Sequence, residues 1–227
     1  ASDVYKRQGV RDVLLSDGLP GERIDLVPSG VDFRRYENVP VPTRASLGVP
    51  EDAIIVGQVA ALAPHKDQAT FLATIARLRQ RRTNVHGVLV GGGALRAELE
   101  ETARRLGVAE AVHFLGHRED ALSCLRTFDV FCFSSWAEGL GTSIIDAMAL
   151  GVPVAATMVG GIPELVEDGV TGFSAPPRDP DALAQAVERC LSDRRTAIIV
   201  GARLRAADYS VEKTVSGMER VYRAIRR

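Results

Sequence analysis

Several common chemistries depend on residues this sequence has little of. Its three cysteines, Cys124, Cys132 and Cys190, are odd in number, lie in apolar contexts and lack C-x-x-C spacing, so no disulfide framework or thiolate site is indicated. They read as reduced core residues. The histidines, at 65, 86, 113 and 117, include no pair at metal-ligand spacing, and no metal is assigned. No G-x-S-x-G elbow occurs and no histidine has a convincing Ser or Cys partner, which removes a nucleophilic triad. The first strand-like run ends in GQVAALAPHKD rather than G-x-G-x-x-G, so the dinucleotide fingerprint is also missing. Neither sign of charge is in excess: the formal net charge is −1, and Lys and Arg are scattered or paired with acids, which excludes the basic face that nucleic acid requires. No uninterrupted apolar run approaches the ~20 residues needed to span a bilayer, and the first residues are not a signal peptide. The chain is expected to be soluble and cytoplasmic, with a peripheral place at the inner membrane face left open.

What is present is ordinary globular material. With 227 residues, 46% hydrophobic and 25% charged, the chain can bury one sizeable core or two small ones and is not expected to be disordered. Residues 1–8, ASDVYKRQ, resemble a translated sequencing adapter and are set aside from fold reasoning. From Gly9 onward the sequence starts in mid-pattern, as the carboxyl-terminal part of something larger would. Residues 9–44 are Pro-rich and weakly periodic and read as an interdomain segment, stiffened by Pro40 and Pro42. From about residue 53, strand-like runs at 53–59, 85–90, 111–115, 130–133, 153–156 and 172–175 alternate with helix-like runs at 67–82, 94–106, 119–127, 141–150 and 180–192. Such alternation implies right-handed β-α-β units, hence an α/β domain over 45–209 with a Rossmann-like, doubly wound parallel sheet. Residues 210–227 read as a final helix, capped by Ser210, with Val215, Met218, Val221, Tyr222 and Ile225 on one face.

In that architecture ligands sit where strands lead into helices, so the chemistry belongs to the loops ALAPHKD, GGGAL, GHRED, SSWAEGLGTS and TMVGGIPE. In AEGLGTSIID, Gly139 and Gly141 allow close backbone approach, and the following helix start offers unpaired N–H groups, a cradle suited to phosphate. Glu138 beside it would repel phosphate unless it faces a neutral, hydroxyl-rich part of the same ligand. Read alone, it is equally a helix cap. Asp146 lies on an apolar helix with Thr142 and Ser143 at i−4 and i−3, a polar stripe that wants a polar partner; two ribose hydroxyls would supply one. Alone, it could also be a surface residue. Lys66 stands at the mouth of the first strand, where a cation can reach a diphosphate, although a lone lysine is ordinarily a solvated one. The triple glycine at 91–93 and a flexible turn at Gly160 and Gly161 add room near the same end of the sheet.

Taken together, AALAPHKD, VGGGAL, VHFLGHRED, FDVFCFSSWAEGLGTSIIDAMALGVPVAA, GGIPELVEDGVTGF and DPDALAQAV, with LVPSGVD before them, resemble the donor-binding half of family 4 glycosyltransferases. The resemblance covers nearly the whole chain from Gly9. It implies the carboxyl-terminal half of a GT-B fold and a metal-independent, retaining sugar transfer from a UDP-, GDP- or ADP-sugar, with no cofactor. The saccharide, lipid-linked or small-molecule acceptor would be held by an amino-terminal domain, so this portion alone would bind nucleotide without turning over. By the same resemblance Glu138 contacts the donor sugar and Lys66 the diphosphate. Backbone N–H groups of Leu140, Gly141 and Thr142 complete the cradle, Asp146 grips the ribose, and main chain near His117 and Arg118 meets the base. Two positions depart from the family pattern. Asp146 stands where the family usually has glutamate. Ala61 stands where it usually has arginine, a loss for which Arg118 is the residue that could substitute. A GT-B-like nucleotide-sugar epimerase or phosphorylase, and a non-catalytic nucleotide-binding module, are the alternative readings.

Overall fold

The computed structural model describes residues 3–5, 15, 17–21 and 24–225. A short parallel pair comes first: β1 (Asp3–Tyr5) beside β2 (Ile24–Leu26). Part of the adapter-like segment therefore belongs to a small sheet, in keeping with the strand preference of Val and Tyr; residues 1–2 and 6–8 lie outside the described residues. The main sheet contains β3 (Ile54–Val59), β4 (Val85–Val90), β5 (Val112–Gly116), β6 (Val130–Phe133), β7 (Val154–Thr157) and β8 (Phe173–Ala175). Its order is β5-β4-β3-β6-β7-β8 with every neighbouring pair parallel. The strand order reverses between β3 and β6, which opens a crevice at their carboxyl ends.

Helices cover both faces: α1 (Gln68–Arg79), α2 (Arg96–Arg105), α3 (Ala121–Arg126), α4 (Thr142–Leu150), the single turn α5 (Ile162–Leu165), α6 (Pro180–Cys190), α7 (Arg195–Ala206) and α8 (Val211–Ile225). Consecutive strand residues feed opposite cores, as the two-residue strand period requires. Ile55, Phe131, Phe133 and Val154 join α4 through Ile144, Ile145 and Met148, whereas Val56, Val130, Cys132 and Ala155 join α1 and α6 through Phe71, Ile75, Leu183 and Val187. The three cysteines are free and buried. Burial holds the thiols of Cys132 and Cys190 well above the ordinary thiol range, so neither is a nucleophile near neutral pH.

Helix ends follow local chemistry. Asp67 adopts a left-handed conformation, φ 49°, and its carboxylate accepts from the N–H and hydroxyl of Thr70 at 3.3 and 2.7 Å, capping α1. Asp179 caps α6 in the same way through Ala182 N–H, ahead of Pro180. Gly151, at φ 75°, ends α4. The sequence pattern does not anticipate α7. Its Ile-Ile-Val run and Gly201 weaken helix propensity. Tertiary packing overrides this, because Ile198, Ala202 and Ala206 recur every fourth residue on one buried face and Gly201 lies against the carbonyl of Val170, where a Cβ has no room.

The segment 31–44 does more than connect. Val31 exchanges backbone hydrogen bonds with Tyr209 and Val211, and a 3₁₀ turn, Phe33–Tyr36, capped by Asp32, packs on α4. Ser210 caps α8 as expected. Of the apolar face of α8, Val221 is buried, whereas Val215 and Tyr222 are exposed; the side chain of Ile225 lies outside what is described.

One pairing was hidden by sequence spacing. His86 and His113, near the amino ends of β4 and β5, bring Nδ1 and Nε2 within 3.0 Å, so one ring donates to the other. Burial lowers both pKa values from 6.5, and each ring has a second cause: Arg79 for His86, and His86 itself for His113. With folded pKa values below the unfolded one, this pair's contribution to stability is fully present above pH 6.5 and is lost as pH falls through the lowered values. Thermal melts should therefore show Tm dropping below pH 6.5, and His113→Gln should flatten that slope. A slope unchanged by the substitution counts against the pair.

Candidate functional site

The loop after β3 and the loop after β6 meet at the crevice and are fastened to each other. The hydroxyl of Ser134 lies 2.9 Å from the carbonyl oxygens of both Lys66 and Asp67 and accepts from the buried Gln58 amide at 3.3 Å. Trp136 donates its backbone N–H to His65 and its indole N–H to Pro64, at 3.0 and 2.9 Å. Gln68 closes the turn from the other side by donating to the Ala61 carbonyl. The backbone of Lys66 is thus held on both flanks.

From sequence, Lys66 and Glu138 take separate partners; in the fold they take each other. The Lys66 ammonium forms an ion pair with a carboxylate oxygen of Glu138 and lies 5.2 Å from the centre of the Phe133 ring. The other Glu138 oxygen accepts from the Gly139 N–H at 3.0 Å. Both side chains are largely buried, 17% and 14% exposed, so their charges are weakly screened. Gly160 and Gly161 pass close to the backbone of the loop that carries Glu138. A Cβ on either would run into the carbonyl oxygens of Glu138 and Gly139, so this turn is clamped onto the acid's own backbone. Similarly, Gly91 and Gly93 make room for the carbonyls of Ala60 and Leu62, and Gly91 also lines one of the cavities described below.

The loop then enters α4 through Gly141, whose φ of 72° is a conformation glycine adopts without strain. Among the described residues no side chain caps this helix, so its first N–H groups, beside Leu140 and Thr142, lack a side-chain partner, and an anion would be favoured there. One helical turn further on stands Asp146, only 9% exposed. Its Oδ1 accepts a 2.7 Å hydrogen bond from the Tyr36 hydroxyl, and the Arg35 guanidinium lies 3.8 Å from the same oxygen. Burial raises the Asp146 pKa, opposed by the Tyr36 hydrogen bond and by Arg35. Burial, followed by the Asp146 contact, raises that of Tyr36 strongly. Neither Arg35 nor Tyr36 is singled out by motif or spacing. They come from the 3₁₀ turn of the segment read as a connection.

Two adjoining cavities lie along the carboxyl ends of the strands. One, of about 430 Å³, is lined by Arg35, Asn38, Val59, Glu119, Ser123 and Asp146 among others. The second, of about 290 Å³, shares Val59 and Ala121 with it and is lined by Ala61, Gly92, His117 and Arg118. His117 and Arg118 therefore stand beside the position where arginine is replaced by Ala61. The Arg118 guanidinium is turned to Asp120, with two bonds of 2.7 Å, and in this arrangement it does not stand in for the missing cation. Among the described residues, no group of three or more His, Cys, Asp or Glu is placed to hold a metal ion.

Comparison with known proteins shows the family and the fold. Residues 51–193 match the family model described as glycosyl transferases group 1. D-inositol 3-phosphate glycosyltransferase of Corynebacterium urealyticum is 34% identical over 218 residues, covering 89% of this chain and 51% of that protein. The one from Geodermatophilus obscurus is 35% identical over 219 residues, covering 91% and 48%. The chain thus spans about half the length of these relatives. Among solved structures, Anabaena Alr3699/HepE in complex with UDP and glucose superimposes with a TM-score of 0.85 at 27% identity, over 98% of this chain and 62% of that one. A glycosyltransferase from Rickettsia africae ESF-5 has the same fold, with a TM-score of 0.90 at 20% identity, over 99% and 63%.

Proposed function

Because the chain belongs to the group 1 glycosyl transferases, we propose that it is the donor-binding part of a retaining glycosyltransferase and that the crevice between β3 and β6 takes a nucleoside-diphosphate sugar. The observation that carries this reading is the Lys66–Glu138 ion pair close to the uncapped start of α4, where Gly141 lies against the Glu138 side chain, with Asp146 one turn further along the same helix and lining a cavity. Lys66 and the N–H groups of α4 stabilise the diphosphate as negative charge builds on it during departure. Glu138 accepts from the hydroxyls of the sugar, Asp146 from those of the ribose, and main chain at His117 and Arg118 borders the base. The acceptor hydroxyl oxygen bonds to the anomeric carbon on the face from which the diphosphate leaves, and its proton departs with the leaving phosphate. No step is assigned to a metal. Acceptor recognition, whether of a saccharide, a lipid-linked or a small molecule, belongs in this reading to the portion that the relatives have beyond this chain's span. The exposed Val215 and Tyr222 of α8 would pack on that portion. The complex of HepE with UDP favours a uridine nucleotide as the first probe.

Calorimetry of the 227-residue chain with UDP, GDP and ADP tests the reading. One of the three should bind, and Lys66→Ala should weaken it by about 10- to 100-fold, the range expected for loss of a charge-assisted hydrogen bond. No affinity for any of them would sink the donor-site assignment.

A further inference from the structure

Asp146 has a polar partner before any ligand arrives, and that partner comes from far away in the chain. The Tyr36 hydroxyl donates to Oδ1 at 2.7 Å across 110 residues. Tyr36 is itself fixed: its ring packs edge-on against Phe33, with centroids 5.3 Å apart, and its turn is capped by Asp32 and seated on α4. Arg35 approaches the same oxygen at 3.8 Å. Among the described residues, no hydrogen bond is made to Oδ2, and Asp146 borders the larger cavity. One carboxylate oxygen is therefore tied to the protein, and the other keeps its capacity to accept a hydrogen bond. A short aspartate side chain has two rotatable bonds, and anchoring one oxygen removes most of its freedom to turn.

We propose that Tyr36 is a positioning residue for nucleotide recognition: its hydroxyl holds Asp146 so that Oδ2 meets a ribose hydroxyl, compensating for a carboxylate one methylene shorter than glutamate. The inference deepens the donor-site reading and rests on it. Tyr36 touches the acid and not the reacting atoms, so its signature is selectivity for the ribose rather than a general loss of binding. A purely structural tyrosine would affect all nucleotides alike.

The test compares UDP, GDP and ADP with their 2′,3′-dideoxy analogues by calorimetry on the same chain. The wild-type chain should prefer the ribonucleotide at least tenfold. Tyr36→Phe, which keeps the ring and its packing on Phe33, should cut ribonucleotide affinity about tenfold and leave the dideoxy analogue nearly unchanged, collapsing the preference. Tyr36→Phe/Asp146→Glu should restore it, because the longer carboxylate reaches the diol unaided. A wild-type preference that survives Tyr36→Phe, or equal losses for both ligands, overturns the positioning role and leaves the donor-site reading intact. A wild-type chain that binds both forms equally removes the ribose role of Asp146 and this inference with it, and one that binds none removes the donor site as well. Should Tyr36→Phe fail to fold, 3-fluorotyrosine at position 36 supplies a second readout. Its ¹⁹F resonance should shift with the ribonucleotide and far less with the dideoxy analogue, and identical shifts overturn the proposal.

Discussion

A Glu138→Gln chain should bind the nucleoside diphosphate about tenfold more tightly than the wild-type chain, although it alters a residue placed in the site. In the ligand-free fold the Lys66 ammonium is already neutralised by Glu138, at low exposure, and the same carboxylate repels an incoming phosphate. The amide removes that repulsion and the competing partner together. It keeps an oxygen to accept from the Gly139 N–H, so the loop should hold its shape. A difference of about 1.4 kcal/mol, modest for a partly buried pair, is the tenfold expected. The gain should vanish with UDP-glucose if that is the donor, because the sugar hydroxyls then lose the carboxylate that accepts from them. Calorimetry with the two ligands checks both halves. Unchanged or weaker diphosphate binding would mean that the ion pair does not compete with the ligand.

Asp146→Asn should move binding and stability in opposite directions. Affinity for the ribonucleotide should fall about 10- to 100-fold, from loss of a charge-assisted hydrogen bond to the ribose, and far less for an analogue lacking both ribose hydroxyls. Equal losses would count against the ribose role. The ligand-free chain, by contrast, should melt at a higher temperature. The Asp146 pKa is raised in the fold above 3.8, chiefly by burial, so its ionisation opposes folding. The contribution of a group with a raised folded value is fully present below the unfolded pKa and is lost as pH rises through the folded one. Above the folded value that loss is complete, and asparagine, neutral at every pH and still able to accept from Tyr36, escapes it. For a chain of this size about 1 kcal/mol corresponds to ~2–4 °C in Tm, which a thermal melt resolves. A lower Tm at pH 7 would show that Asp146 is held by more than Tyr36 and Arg35.

Much of this could be read from the sequence because it is local. The six strands of the main sheet fall within a residue or so of the β-branched and apolar runs. The strand-to-helix alternation implies a parallel, doubly wound arrangement, and Asp146 stands out as a charge among apolar helix residues, with Lys66 and Glu138 marked by their places in the loops. What is not legible in the sequence depends on contacts distant in it. The helix α7 is made by packing on one face against its own propensity. The histidine pair forms only once β4 and β5 lie side by side. The Tyr36 contact has no spacing signal at all, since it joins a Pro-rich segment to a helix 110 residues later. The site satisfies its own charges, Lys66 through Glu138 and Asp146 through Tyr36, and loop position alone carries no sign of either pairing. Phosphate for Lys66 and ribose for Asp146 are the partners the sequence suggests, but buried charges do not wait unpaired.

The fastening of Pro64, His65 and Lys66 to Ser134 and Trp136 has a further consequence, for the kinetics of association. With the backbone fixed, a ligand entering the crevice need only swing the side chains of Lys66 and Glu138 apart, a matter of torsions, and no loop has to be ordered around it. Little conformational entropy is lost in binding, and rotamer exchange is faster than diffusional encounter at micromolar concentrations. Association should then follow collision and charge, leaving the lifetime of the bound state to set affinity.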